Sequence, residues 1–78
     1  MVRFNELRSR LDREPFRPFI IRVEDGRGFK VLRRNLCILT RHAAYVGVPD
    51  SKDPRYVRRM DYCPFDYATG IEELRRRV

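Results

Sequence analysis

The sequence predicts a mainly β, α+β domain, in which a short N-terminal helix precedes a small, strongly bent antiparallel barrel. Three observations predict it. Residues 19–31 alternate as two paired strands on either side of Asp25-Gly26. Short runs of β-forming residues recur after them, separated by turn chemistry. The chain has 78 residues, enough for one domain, and at that size a domain buries only about 60% of the surface its unfolded chain exposes.

The first element is a helix over about residues 3–13. Phe4, Leu7 and Leu11 recur at i, i+3 and i+7, with Arg8, Arg10, Asp12 and Arg13 on the other faces, and Pro15 stops the run. So short a helix is unstable alone, so its apolar stripe must dock on the sheet as a lid or plug.

A hairpin with strands over about 18–24 and 27–32 follows. Phe19, Ile21 and Val23 alternate with Ile20, Arg22 and Glu24, the pattern of a strand with one buried face. A two-residue Asp25-Gly26 loop would put Phe29 opposite Arg22, on the wrong face. A three-residue loop, Glu24-Asp25-Gly26, instead pairs Val23 with Arg27, Ile21 with Phe29 and Phe19 with Val31. It requires Gly26 in the left-handed region as the bulge residue.

Arg33-Arg34-Asn35 interrupts the apolar pattern, and a short strand over 36–40 resumes it. Thr40–Ala43 is a turn, 44–48 is the returning strand, and Gly47 within it permits a bend or the close approach of a neighbouring backbone. Pro49–Pro54 is a loop bounded by prolines. Residues 55–60 suit an edge or half-exposed strand, and Asp61–Tyr67 reads as an aromatic corner with a turn of 3₁₀ helix. The end is compatible with two structures. Thr69-Gly70-Ile71-Glu72 matches a capping box, with Ile71, Leu74 and Val78 at helical spacing, while a strand over 68–74 would close a barrel against the first strand. Residues 75–78 form a basic tail.

Composition narrows the function classes. The net charge is +7, and 16 of the 18 basic residues are arginine. That balance suits a polyanion-binding surface, because arginine meets phosphate with a planar fork and stacks on bases. It is equally the product of arginine-rich codon usage, with several arginines simply alternating with acids on solvated faces. No apolar run approaches the roughly 20 residues that span a bilayer, and the N-terminus lacks the apolar core of a secretory signal. The expectation is a cytoplasmic protein without membrane contact. Cys37 and Cys63 fall outside any CxxC pair and are expected to be two reduced thiols.

The segments Pro15-Phe16-Arg17-Pro18-Phe19, Asp25-Gly26-Arg27, Leu39-Thr40-Arg41, Tyr45-Val46-Gly47-Val48 and Thr69-Gly70-Ile71-Glu72 resemble those of a family of short uncharacterised bacterial proteins, common in planctomycetes. The resemblance runs from about Leu7 to Leu74. It implies a last strand at 68–74 and assigns no biochemical function. At fold level the element order is similar to the Sm-like small barrel, which implies a five-stranded, strongly bent barrel, ring assembly and RNA binding. The chain departs from that pattern where Sm-like proteins hold RNA bases: Arg33-Arg34-Asn35-Leu36 replaces the Asp/Asn-bearing signature, and the Arg-Gly pair near the fourth strand is missing. Fold alone does not carry the activity across.

Catalytic signatures are sparse. His42 is the only histidine, neither Ser9 nor Ser51 lies in a nucleophile elbow, and Cys37 with His42 is the one thiol–imidazole candidate. Cys37, His42, Asp61 and Cys63 have no metal-ligand spacing, and Gly26-Arg27-Gly28 is turn chemistry, not a phosphate cradle. The reading is non-enzymatic, with no cofactor and no small-molecule substrate. One constellation remains. Arg33, Arg34, Arg41, Arg55, Tyr56, Arg58 and Arg59, with Tyr45, Tyr62 and Tyr67 nearby, combine phosphate-neutralising and base-stacking groups suited to single-stranded nucleic acid. The structural alternative is that the tyrosines pack the core or corner and the arginines form a hydrated rim. A homo-oligomer or protein partner, docking on edge strands such as 55–60, is the other class of function.

Overall fold

A computed structural model describes residues 2–74. One helix, α1 (Phe4–Asp12), precedes six strands: β1 (Phe19–Val23), β2 (Gly28–Val31), β3 (Cys37–Leu39), β4 (Ala43–Pro49), β5 (Val57–Pro64) and β6 (Ala68–Glu73). They form two three-stranded antiparallel sheets, ordered β2-β1-β6 and β3-β4-β5. The mainly β, α+β class is therefore correct.

The first hairpin has the expected register. Phe19 pairs with Val31 and Ile21 with Phe29. The Val23 amide donates to the Arg27 carbonyl at 3.1 Å, and the Gly26 amide donates back to the Val23 carbonyl at 3.0 Å. Gly26 has φ +88°, a conformation that costs other residues roughly 1–2 kcal/mol. Gly28 is demanded for a different reason: a Cβ there would sit 2.7 Å from Ile20 Cγ2.

Phe19, Ile21, Val23 and Val31 of this hairpin meet Cys37, Ala44, Val46 and Cys63 of the second sheet in one core, to which α1 adds Leu7 and Leu11. Phe29 is half-buried against that cluster. The helix works as the lid its stripe predicts, and the chain before it is tied down by the Val2 amide donating to the Ala68 carbonyl at 3.1 Å.

One open alternative is resolved, as the family resemblance implied, and two expectations need correction. The carboxyl-terminal segment is a strand. β6 lies against β1, with Ile71 opposite Ile21 and Glu73 opposite Phe19. Cross-strand ion pairs Arg17–Glu73 and Arg22–Glu72, each at 3.2 Å, lie along this pairing, and the second holds the Glu72 that a capping box would have used. The basic tail at 75–78 lies outside the described residues. Next, the strand expected at 55–60 instead runs from Val57 to Pro64, and only Phe65–Tyr67 of the corner is 3₁₀. Tyr62 and Cys63 alternate out and in like strand residues, because Tyr62 lies opposite Tyr45 and Cys63 opposite Ala44.

The second correction concerns closure. There are six strands in two sheets, and no backbone pairing joins the sheets among the described residues. After β2 the chain coils into a 3₁₀ turn at Arg34–Leu36, so β3 does not continue along the free edge of β2. At the other end Pro64 lacks an N–H, and the turn at Phe65–Tyr67 redirects the chain. The edges of β2 and β5 stay unpaired.

These two glycines give a direct test by urea denaturation. Gly26→Ala is expected to cost about 1–2 kcal/mol and Gly28→Ala about 1–3 kcal/mol through overpacking against Ile20. Gly70→Ala, at a position with no atom within 4 Å of the new Cβ and an ordinary φ, should stay within about 0.5 kcal/mol of the parent. Equal midpoints for Gly28→Ala and Gly70→Ala would contradict the packing described.

Candidate functional site

The second sheet turns one face to the core and the other to solvent. Cys37, Ala44, Val46 and Cys63 point in, so Ile38, Tyr45 and Tyr62 point out by the period-two rule. Register then aligns them in one row across the sheet, Ile38 opposite Tyr45 and Tyr45 opposite Tyr62. Their exposures are 60%, 37% and 54%. The tyrosine rings are 5.2 Å apart between centroids and inclined by 50°, leaving part of each ring face to solvent.

Further along the same face, Gly47 carries no side chain, and Leu36, Met60 and Val57 crowd over it within 3.4 Å of where a Cβ would stand. The pairing slips here: Val48 lies opposite Arg59 and Pro49 opposite Val57, so Arg58 is the extra residue of a β-bulge. Arg58 is exposed and has no carboxylate within 4 Å among the described residues.

The residues singled out in the sequence are distributed unevenly around this face. Arg41 lies in the β3–β4 turn at its Tyr45 end, exposed and without a carboxylate partner among the described residues. Arg33, Arg55 and Tyr56 gather at the opposite end. The Arg33 guanidinium donates to the Pro54 carbonyl at 2.8 Å, and the Arg55 guanidinium lies 6.0 Å from the centre of the Tyr56 ring. Arg55 is also bound to Asp53 at 2.9 Å, which holds the Asp53 carboxyl below its usual range and raises the arginine. Arg59 points to the other side of β5 and pairs with Asp61 at 2.9 Å. Arg34 does not join: it reaches back to α1, bonding Asp12 at 3.0 Å and approaching Glu14 at 3.6 Å.

Two residues outside the sequence-derived set stand close to Tyr62. Arg27 places its guanidinium 5.9 Å from the centre of the Phe29 ring, and both line a cleft with Arg59, Asp61 and Tyr62. Arg27 also bonds Asp25. Its backbone N–H, then its side chain, hold that carboxyl below the usual carboxylate range. The signal available in the sequence was the alternation itself, which sets Arg27 and Phe29 on one side of β2.

The thiols are chemically quiet. Cys37 and Cys63 are free and buried. They lie on strands flanking β4, so two inter-strand spacings, about 9–10 Å, separate their backbones, beyond disulfide reach. Burial, then the nearby Cys63 sulfur, pushes the Cys37 thiol up to about 11. Burial raises Cys63 too, partly opposed by Arg27. His42 is exposed in the turn. Among the described residues no three His, Cys, Asp or Glu side chains come together as a metal site, and no helix is long and apolar enough to cross a membrane.

No family model, curated protein or solved structure matches this chain. Its own residues carry the functional reading.

The thiol chemistry predicts that a disulfide reagent at pH 8 labels neither cysteine at an appreciable rate until denaturant is added, since at about 11 the native Cys37 is roughly one part thiolate in a thousand. The same shift sets an alkaline limit. The unfolded thiol ionises near its ordinary value and the folded one only at about 11. Cys37 therefore supports the fold fully below about pH 8.5 and progressively less as pH rises towards 11. Urea midpoints for Cys37→Ser against the parent between pH 8 and 11 check this: only the parent should lose this contribution.

Proposed function

We propose that this protein is a non-catalytic binding module that takes single-stranded nucleic acid on the outer face of β3-β4-β5. The observation that carries the reading is the exposed Tyr45–Tyr62 pair in the middle of a sheet face. Base–aromatic stacking is sequence-tolerant because every base has a π-face. Arg41 and Arg58, at the two ends of this face, are available to phosphates because no carboxylate neutralises them among the described residues. Arg33, Arg55 and Tyr56 extend the basic end beyond Arg58, whereas Arg34 is committed to α1 and is left out.

The same proposal takes the two sheets as an opened Sm-like barrel, supported by the helix, hairpin and 3₁₀-linked last strand in that order. It also takes the chain as kin to the short bacterial proteins whose segments it resembles. Neither relation supplies the binding residues.

Fluorescence anisotropy with labelled oligouridine and oligothymidine tests the reading. Binding should weaken with salt by counterion release, with a log–log slope near −2 if about three phosphates are neutralised. Tyr62→Ala and Tyr45→Ala should each cost about 1–3 kcal/mol of affinity. Absence of binding at low salt, or affinities indifferent to both substitutions, would overturn it.

A second reading is self-association through the same face, favoured by the apolar side chains of Ile38, Val57 and Met60 exposed beside the tyrosines. Light scattering across a concentration series separates the two. Dimers abolished by Ile38→Lys would support assembly, and a monomer at high micromolar concentration would remove it.

A further inference from the structure

Residues of β2 and β5, strands with unpaired edges where the two sheets fail to join, line the two sides of one opening. Between them runs a cleft of about 470 Å³, within the roughly 300–1,000 Å³ span of small-ligand sites. Its β2 wall is Phe29, with the Arg27 guanidinium over the ring. Its β5 wall is Tyr62, Arg59 and Asp61. Tyr62 thus belongs both to this cleft and to the exposed tyrosine pair on the outer face.

The polar groups here form an unusual combination. Arg59 Nε donates to Asp61 Oδ1 at 2.9 Å, the one hydrogen bond either side chain makes among the described residues. The second carboxylate oxygen and the terminal guanidinium nitrogens are left without protein partners. One small aromatic-walled space therefore presents spare acceptors and spare donors side by side. Two flat rings and a guanidinium plane suit a nucleobase, which single-strand binders splay out, stack and read along its edge.

We infer that this cleft receives a base of the strand stacked on Tyr45 and Tyr62, and that the Arg59–Asp61 pair reads it as guanine; this rests on the nucleic-acid reading above. Guanine alone presents two adjacent donors, N1–H and N2–H, which a carboxylate accepts together, beside the O6 acceptor that a guanidinium approaches. Adenine, cytosine and uracil each offer a carboxylate one ring-edge donor group at that position and leave one of its acceptors unpaired, which is the source of discrimination.

The test compares labelled oligouridine hexamers that are uniform or carry one central guanosine, adenosine or cytidine, with affinities measured by anisotropy at fixed low salt. The guanosine hexamer should bind the parent protein about tenfold or more tightly than the other three. In Asp61→Asn and Arg59→Gln, each checked for folding by thermal denaturation, the ratio of guanosine to adenosine affinity should fall towards one. Equal affinity of the parent for all four hexamers would overturn the inference whether or not those variants fold. If those equal affinities still drop in Tyr45→Ala, the stacking surface survives and only the guanine reading fails. If no hexamer binds, both fall together.

Discussion

The reversal of the chain at Gly26 is the constraint on which the rest of this small domain depends. Its left-handed φ sets a three-residue loop, and the loop sets Phe19 against Val31 and Ile21 against Phe29. A slip of one residue would turn Phe29 and Val31 outward and leave β1 facing charged side chains. With so little surface to bury, a chain this short leans heavily on the one face that this register creates. Leu7 and Leu11 of the helix, and Ala44, Val46 and Cys63 of the other sheet, pack on the face that this register creates.

The open seam follows from the same economy. The chain leaves β2 through a 3₁₀ turn and leaves β5 through a proline and a second 3₁₀ turn, so the two sheets share a core but not a hydrogen-bond ladder. Unpaired edges invite foreign strands, and charged side chains blunt them. Lys30 on β2 and Arg59 and Asp61 on β5 stand at these edges. Of these, Arg59 and Asp61 also line the cleft beside Phe29, so a seam left open by backbone geometry carries donors and acceptors on one wall.

Much of the fold was legible because its signals are local. The helix stripe, the glycine of the loop and the period-two hairpin each lie within a dozen residues. The limits of β5 were not, since Tyr62 and Pro64 carry corner chemistry locally and become strand residues only through pairing with Tyr45 and Ala43. The last segment was locally ambiguous for the same reason: β1 resolves it, by offering Arg17 and Arg22 to Glu73 and Glu72 some fifty residues away. The candidate site followed this division. Arg41, Arg58 and Tyr56 were visible as basic and aromatic residues. That Arg34 is bound by Asp12, across 22 residues of chain, was not. Nor did any spacing announce that Arg27 and Phe29 would face Arg59 and Tyr62.

Charge and shape make different contributions to this surface. Arg27, Arg55 and Arg59 each hold an acid two residues away, so much of the positive charge is neutralised locally, and such exposed pairs contribute little to stability. The long-range field comes instead from cations such as Arg41 and Arg58, which have no carboxylate partner among the described residues. On the proposed reading, selectivity would come from the fixed features: the tyrosine pair and the walls of the seam. Cross-strand packing of Tyr45 on Tyr62 stabilises the sheet by about 0.2–1 kcal/mol, and β-branched residues at the same positions would serve the strands comparably. Strand stability accounts for the contact between these side chains; on the proposed reading, the part of each ring left to solvent is the surface a base would meet.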